Sequence, residues 1–271
     1  MNVRHESSVR TVGRTPIGPL RHAEGSSDVA LRARMPNAAT RRPYHHRTVA
    51  HIRLLTCNLY NDNADVGALA EVLATVAPDV VAAQELAPNA AEVLEAALPY
   101  GRLVPAGNSK GHGLALRYPG SVDTFEIPSR NGLLAVLDPA AWPGLGRALH
   151  IVNVHLANPI QWPITAARRS RSDAIAAIVG HVARSSTPLA VVGDLNATPV
   201  WPAYRRLIRV LRDGVHDTGA THRTWSPWWW APRLLRIDHV LVRGGVRVTA
   251  ADTVRIRGSD HSALVVDIEV E

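Results

Sequence analysis

The chain is patterned as short apolar runs, each closed by a polar residue. Ile52, Leu54 and Leu55 lead into Thr56-Cys57-Asn58, which reads as a strand over 51–58. Asp65 is placed to cap a helix over 66–77, with Val66, Leu69, Val72, Leu73 and Val76 on one face. A second apolar strand at 80–83 ends in Gln84-Glu85, and Pro88 opens a helix that turns Val93, Leu94 and Leu98 inward. From Gly101 the texture shifts to brief strands with Gly and Pro breaks, at 113–116, 122–127 and 133–137. A strand over 148–155 ends in His155, and a helix over 165–183 carries Arg168, Arg169 and Arg171 near its start. The run 189–192 ends in Gly193-Asp194-Leu195-Asn196 and is followed by a helix over 203–211. Asp238 opens a strand over 236–242, a further piece covers 248–256, and Ser259-Asp260-His261 precedes a last strand at 263–268. This order predicts one α/β domain over 49–271, two sheets with helices outside.

The polar residues at the strand ends are Asn58, Glu85, His155, Asp194, Asn196, Asp238, Asp260 and His261. Any one is explained as a turn or a cap. Six separate strands ending in carboxylate, amide or imidazole point instead to one shared site, because strand ends are rigid platforms. Asp194 and Asn196 lie two apart, so an extended chain aims both to one side. Oxygen-rich ligands such as Glu85 suit a hard cation, Mg²⁺ or Mn²⁺, whereas zinc favours more histidine or cysteine. Carboxylates, amides and histidines around such a cation suit phosphate-ester hydrolysis. His239, inside a strand, reads as a core histidine, and His112 as a possible neighbour of the cleft.

The net charge of +7 first suggests a polyanion partner, but its distribution changes the picture. Residues 1–50 hold nine arginines against Glu6, Glu24 and Asp28, a net of +6. The remainder holds 21 basic and 20 acidic side chains, a net of +1. Residues 1–48 show no periodicity and read as a disordered basic tail without a catalytic part. Cys57 is the only cysteine, which excludes an internal disulfide and predicts a buried thiol. Neither a membrane-length apolar run nor a secretory h-region is visible, which predicts a cytoplasmic protein.

Together, Thr56-x-Asn58, Gln84-Glu85, Asn153-Val154-His155-Leu156, Gly193-Asp194-Leu195-Asn196, Ile237-Asp238-His239 and Ser259-Asp260-His261 resemble the endonuclease/exonuclease/phosphatase (DNase I-like) superfamily over about 52–269. The resemblance implies a four-layer α/β sandwich of two packed mixed β-sheets. It implies Glu85 as the main Mg²⁺ ligand with Asn58 near by, and Asp260 as a further acidic or metal-linked residue. Asp194 would orient or deprotonate the attacking water and Asn196 would help place it. His261, bonded to Asp238, would contact the phosphate or act as base, leaving two candidates for that role. His155 would stabilise the phosphate or protonate the leaving oxygen. A histidine at that place, where abasic-site endonucleases have a tyrosine-containing motif, puts the chain nearer the DNase I, sphingomyelinase and phosphatase branches.

The implied activity is a Mg²⁺-dependent phosphodiesterase, with a nuclease first and a phospholipid or small phosphoester hydrolase as the alternative. A polyanion-binding module is the non-enzymatic alternative. Two aromatic patches, 160–163 with Trp162 and 225–230 with Trp228, flank site strands. With Arg168 they are the candidate substrate contacts, by base stacking or by insertion into a membrane interface.

Overall fold

The computed structural model describes residues 49–127 and 130–271. The predicted tail, 1–48, lies outside the described residues. The elements run β1 (Ala50–Asn61), α1 (Val66–Val76), β2 (Val80–Leu86), α2 (Pro88–Ala97), β3 (Tyr100–Val104), β4 (His112–Leu116), β5 (Gly120–Phe125) and β6 (Gly132–Leu137). They continue with β7 (Leu149–His155), α3 (Ile164–Arg184), β8 (Leu189–Asp194), α4 (Pro202–Leu207), β9 (Arg212–Asp213), α5 (Gly214–Asp217), β10 (Asp238–Arg243), β11 (Val246–Arg255) and β12 (Ser262–Val270).

Two six-stranded mixed sheets result, in the orders β11-β12-β1-β2-β4-β3 and β5-β6-β7-β8-β10-β9. Three apolar clusters define four layers. One, including Leu54, Val80, Ile151, Val192, Val240 and Val266, fills the space between the sheets. A second joins the first sheet to α1 and α2 through Leu55, Val81, Leu69 and Leu94. A third joins the second sheet to α3 and α4 through Val152, Val191, Ile178 and Leu207. This is the two-sheet sandwich with outer helices that the pattern implied.

Period-two alternation along each strand decides what meets between the sheets. In β1, Ile52 and Leu54 face the second sheet, and Leu55 and Cys57 face the helices. The same parity carries Thr56 and Asn58 to the inter-sheet side. In β7, Leu149 and Ile151 precede Asn153 and His155, and in β8, Ala190 and Val192 precede Asp194. In β10, Asp238 shares the side of Val240 and Val242. The inter-sheet core is therefore apolar along most of its length and polar at one end.

Differences from the expected elements have local causes. β3 and the two-residue β9 carry no apolar run, so nothing in the pattern marked them. The helix expected over 203–211 stops at Leu207 as α4. Asp65 caps α1 as expected, its side chain accepting from the Ala68 amide at 2.8 Å. Cys57 is buried and free, and burial pushes its thiol up to about 12. No helix among the described residues is long and apolar enough to cross a membrane.

Candidate active site

Strand pairing brings the polar ends together. β7 and β8 run parallel with His155 opposite Asp194, and β10 runs antiparallel to β8 with Asp238 opposite Asp194. Across the sandwich, β1 and β2 run parallel with Asn58 opposite Gln84. A buried polar clamp ties the two sheets just beneath. Gln84 Nε2 donates to Asn153 Oδ1 at 2.7 Å and to Thr56 Oγ1 at 3.2 Å. Asn153 Nδ2 donates to the carbonyls of Ala83 and Gly113 at 2.9 and 2.8 Å. Thr56, Gln84 and Asn153 thus serve as the floor of the site.

Glu85 reaches the site by breaking the alternation. Val81 and Ala83 face the helices, and a regular strand would send Glu85 the same way. Its φ of +50° is left-handed, a costly conformation for a residue with a Cβ, and it aims the carboxylate at the mouth between the sheets. There Oε1 accepts from Asn58 Nδ2 at 3.3 Å. Asn196 is also left-handed, at φ +46°. Gly193, at φ +124°, is required by its neighbour, because a Cβ there would lie 2.1 Å from the Val154 carbonyl oxygen.

Asp194 is the hub. Its Oδ1 accepts from the Asn196 amide at 2.7 Å, and its Oδ2 from Asn58 Nδ2 and Asn196 Nδ2, both at 3.1 Å. The same Oδ2 lies 3.4 Å from His155 Nε2 and 3.9 Å from His261 Nε2. His261 Nδ1 bonds Asp238 Oδ2 at 2.8 Å, while Nε2 stands 3.9 Å from Asp260 Oδ1. Asp260 is fixed by Trp225 Nε1, which donates to its Oδ2 at 2.9 Å. All eight predicted strand-end residues therefore meet.

The electrostatics divide these groups. Burial opposes charge on His261, but Asp238, Asp194 and Asp260 outweigh it and raise its pKa to about 9. Asp238 is held below the usual carboxylate range, its burial offset by His261. Burial, reinforced by the negative charge of Asp238, raises Asp194. Burial also raises Glu85, with Asp260 adding to it and the Asn58 hydrogen bond holding it back. His155 is kept well below its ordinary value, first by burial and then by the Arg130 cation. Arg130 Nη1 sits 2.8 Å from His155 Nδ1. A guanidinium is a donor only, so Nδ1 accepts and the imidazole hydrogen is on Nε2, facing Asp194.

The donor set fits a hard divalent cation. Glu85 and Asp260 offer carboxylate oxygens, and buried Asp260 Oδ1 accepts no hydrogen bond among the described residues. Asn58 turns Nδ2 to Glu85 and Oδ1 to the Tyr60 amide, so it steadies Glu85 rather than presenting a free oxygen. Asp194, Asp238 and His261 also offer ligand atoms within 4.8 Å of one another. In that second set the Asp238–His261 hydrogen bond already occupies one ring nitrogen and one carboxylate oxygen, which suits a proton-holding pair better than a metal cage.

A cavity of about 680 Å³ opens over these residues. Arg130, Trp201, Trp225 and Leu235 line it with Glu85, His155, Asp194, Asn196, Asp260 and His261. Arg130 also borders a smaller cavity that holds His112 and Lys110. Three predicted substrate contacts stand elsewhere: Trp162, Trp228 and Arg168 are exposed and do not line the main cavity. In the arginine cluster it is Arg171 that is buried, its Nη1 donating to the carbonyls of Ala157 and Leu195 at 2.6 and 3.2 Å. It thereby braces the loops behind His155 and Asp194. His239 is a core histidine, donating through Nε2 to the Ala197 carbonyl at 2.8 Å and packed on Tyr204.

Comparisons with known proteins agree with this geometry. The model of the Endonuclease/Exonuclease/phosphatase family matches residues 55–261. No curated protein matches the chain. Among solved structures, an endonuclease/exonuclease/phosphatase from Bacteroides vulgatus superposes with a TM-score of 0.68 at 20% identity, covering 82% of this chain and 100% of that one. A humanized D. rerio TDP2 gives 0.63 at 18%, covering 80% and 98%. The 3′ phosphatase NExo from Neisseria, bound to a product DNA hairpin, gives 0.63 at 16%, covering 79% and 98%. With the family's motif-bearing segment matched from β1 to His261, this chain belongs to the Endonuclease/Exonuclease/phosphatase family and is a phosphoric ester hydrolase.

Proposed function

We propose that the chain is a divalent-metal-dependent phosphodiesterase in which Asp194 holds the attacking water. The observation that carries this is the convergence of Asn58, Asn196, His155 and His261 on Asp194 Oδ2. The two amides leave that carboxylate little freedom to rotate, so a water bonded to it is aimed. His261, charged and anchored by Asp238, contacts a phosphoryl oxygen rather than taking a proton. His155, neutral with hydrogen on Nε2, donates to a further phosphoryl oxygen, while the Asn196 amide, already bonded to Asp194 Oδ2 and the Leu156 carbonyl, holds the Asp194 carboxylate in place. Glu85 and Asp260 would hold Mg²⁺ or Mn²⁺, with Asn58 steadying Glu85, and that cation would supply Lewis-acid neutralisation of phosphoryl charge.

Nucleic acid stands first among substrates on the sequence reading, and the DNA-bound Neisseria phosphatase supports that arm. A phospholipid or small phosphodiester is the other arm, favoured by the apolar walls that Trp201, Trp225 and Leu235 give the cavity. The test is hydrolysis of plasmid DNA, RNA, sphingomyelin vesicles, a soluble diester and a phosphomonoester, each with Mg²⁺ and with EDTA. Turnover of a diester that EDTA abolishes is expected. EDTA-resistant turnover would overturn the metal-dependent reading, and retention of DNA without any turnover would favour a polyanion-binding module.

A further inference from the structure

Large apolar side chains are exposed on three segments that border one opening. The loop after β7 exposes Ile160 and Trp162, at 77% and 83% of their surface. The loop after β8 exposes Val200 and Trp201. The segment before β10 exposes Trp228, Trp229, Trp230 and Leu235. Ile160, Trp201 and Leu235 also line the catalytic cavity, so the three segments form its rim. Exposed apolar side chains gathered around one opening in this way mark a contact with something other than water.

The charges of the rim narrow the choice. Residues 157–163 and 197–202 contain no acid or base. Residues 225–235 contain one, Arg233, and its guanidinium is turned inward onto Ser262 Oγ and the carbonyls of Ser259 and His261 at 2.8–3.1 Å. A nucleic-acid strand is gripped by cations along its phosphates, and these three segments themselves offer none outward, the nearest exposed arginines in sequence standing beyond the first two, in α3 and α4. A protein partner or a second copy seated there would close the cavity against substrate. Whatever covers this rim must therefore be the substrate or the surface that carries it.

We propose that the uncharged aromatic rim seats on a phospholipid bilayer, so that the cavity opens onto lipid headgroups and draws its phosphodiester from them. This rests on the phosphodiesterase reading above. Tryptophans beside apolar side chains occupy the headgroup boundary of a bilayer, and arginines just behind them meet anionic lipid. Here Arg168 and Arg169 follow the first loop within α3, and Arg205 and Arg206 follow the second within α4. All four are exposed. The two helices are in contact, with Arg206 Nη1 donating to Ser172 Oγ at 3.3 Å.

The test uses the full chain in EDTA with vesicles of phosphatidylcholine and phosphatidylglycerol, read by flotation and by tryptophan emission. The wild type is expected to float with the vesicles and its emission to shift to the blue. The double substitution Trp229→Ala with Trp230→Ala is expected to weaken vesicle binding at least about tenfold, while turnover of soluble bis(4-nitrophenyl) phosphate with Mn²⁺ stays within about twofold. A wild type that stays with the soluble fraction overturns the proposal, as does vesicle binding that the double variant leaves unchanged. Loss of single-stranded DNA binding in that variant, without vesicle binding in the wild type, would replace the bilayer by a stacked strand. The diester assay reports on the phosphodiesterase reading separately, because it needs no vesicle.

Discussion

Arg130 is the site residue that no apolar run announced. It stands in the connection between β5 and β6, lines the cavity and holds His155 through Nδ1. Its second bond runs to Ser109 Oγ at 3.2 Å, and burial depresses its pKa more than the charges of Glu85 and Asp194 raise it. Arg130→Met removes the donor that fixes the His155 tautomer. The expected result is a loss of about 10- to 100-fold in kcat with the fold intact. Ring-nitrogen NMR of His155 is expected to pass from one tautomer to a mixture; a single unchanged tautomer would reject the positioning role. His239 gives a second test at this scale. Burial holds its pKa at about 4, and among the described residues Nδ1 has no partner. The unfolded chain, at an ordinary histidine pKa, binds the proton more readily. The stabilisation is therefore complete above about pH 6.5 and is lost as pH falls toward 4, by about 3 kcal/mol. Urea unfolding of the wild type and of His239→Gln across that window reads the contribution, as the part of the acid loss that the variant lacks; His155, also depressed by burial, adds a loss common to both.

Among elements, β2 shows what the pattern reveals and what it conceals. Its apolar run and polar end were legible, because burial on both faces demands Val, Ala and their like up to the last turn of the pleat. That Glu85 leaves the pleat was not legible, since left-handed φ has no signature in a non-glycine residue. Glu85→Gly is expected to abolish turnover yet leave the melting temperature unchanged or higher. Glycine removes a backbone cost of about 1–2 kcal/mol and a buried carboxylate together, against its own chain entropy. A clear loss of stability on calorimetry would show that Glu85 holds the fold. The tryptophans were legible only as a composition. The sequence reading chose Trp162 and Trp228 as contacts, whereas Trp201 and Trp225 line the cavity, because loop geometry sets which ring turns inward. Arg171 was read within a helical cluster of arginines, and only the packing of α3 against the strand-end loops buries it.

At the scale of the whole molecule, two sheets from different stretches of chain must hold a common opening in register. The clamp of Thr56, Gln84 and Asn153 does this through hydrogen bonds between buried side chains. Asn153→Ala removes an acceptor from Gln84, which keeps Thr56 and the Ala82 carbonyl, and takes a side-chain donor from the carbonyls of Ala83 and Gly113; it is expected to destabilise the protein by about 2–4 kcal/mol. Its denaturation midpoint should fall well beyond that of an exposed control such as Arg147→Ala. The four layers themselves were readable from strand and helix order. Which strands would be neighbours was not, since β1 lies between β12 and β2 through partners far apart in the chain.

The parity by which each strand delivers its last polar residue also predicts where this chain tolerates a change of length. One residue added or removed within β1, β7, β8 or β10 would rotate the terminal side chain toward the helices and expel it from the opening. The same edit at the outer parts of the rim, 159–162 or 228–230, would leave the catalytic geometry in place, whereas one at Trp225 or Arg233 would not, because these hold Asp260 and His261. Homologues should therefore keep strand lengths rigidly while the rim drifts in length and composition, so that new surfaces can be recognised without rebuilding the chemistry.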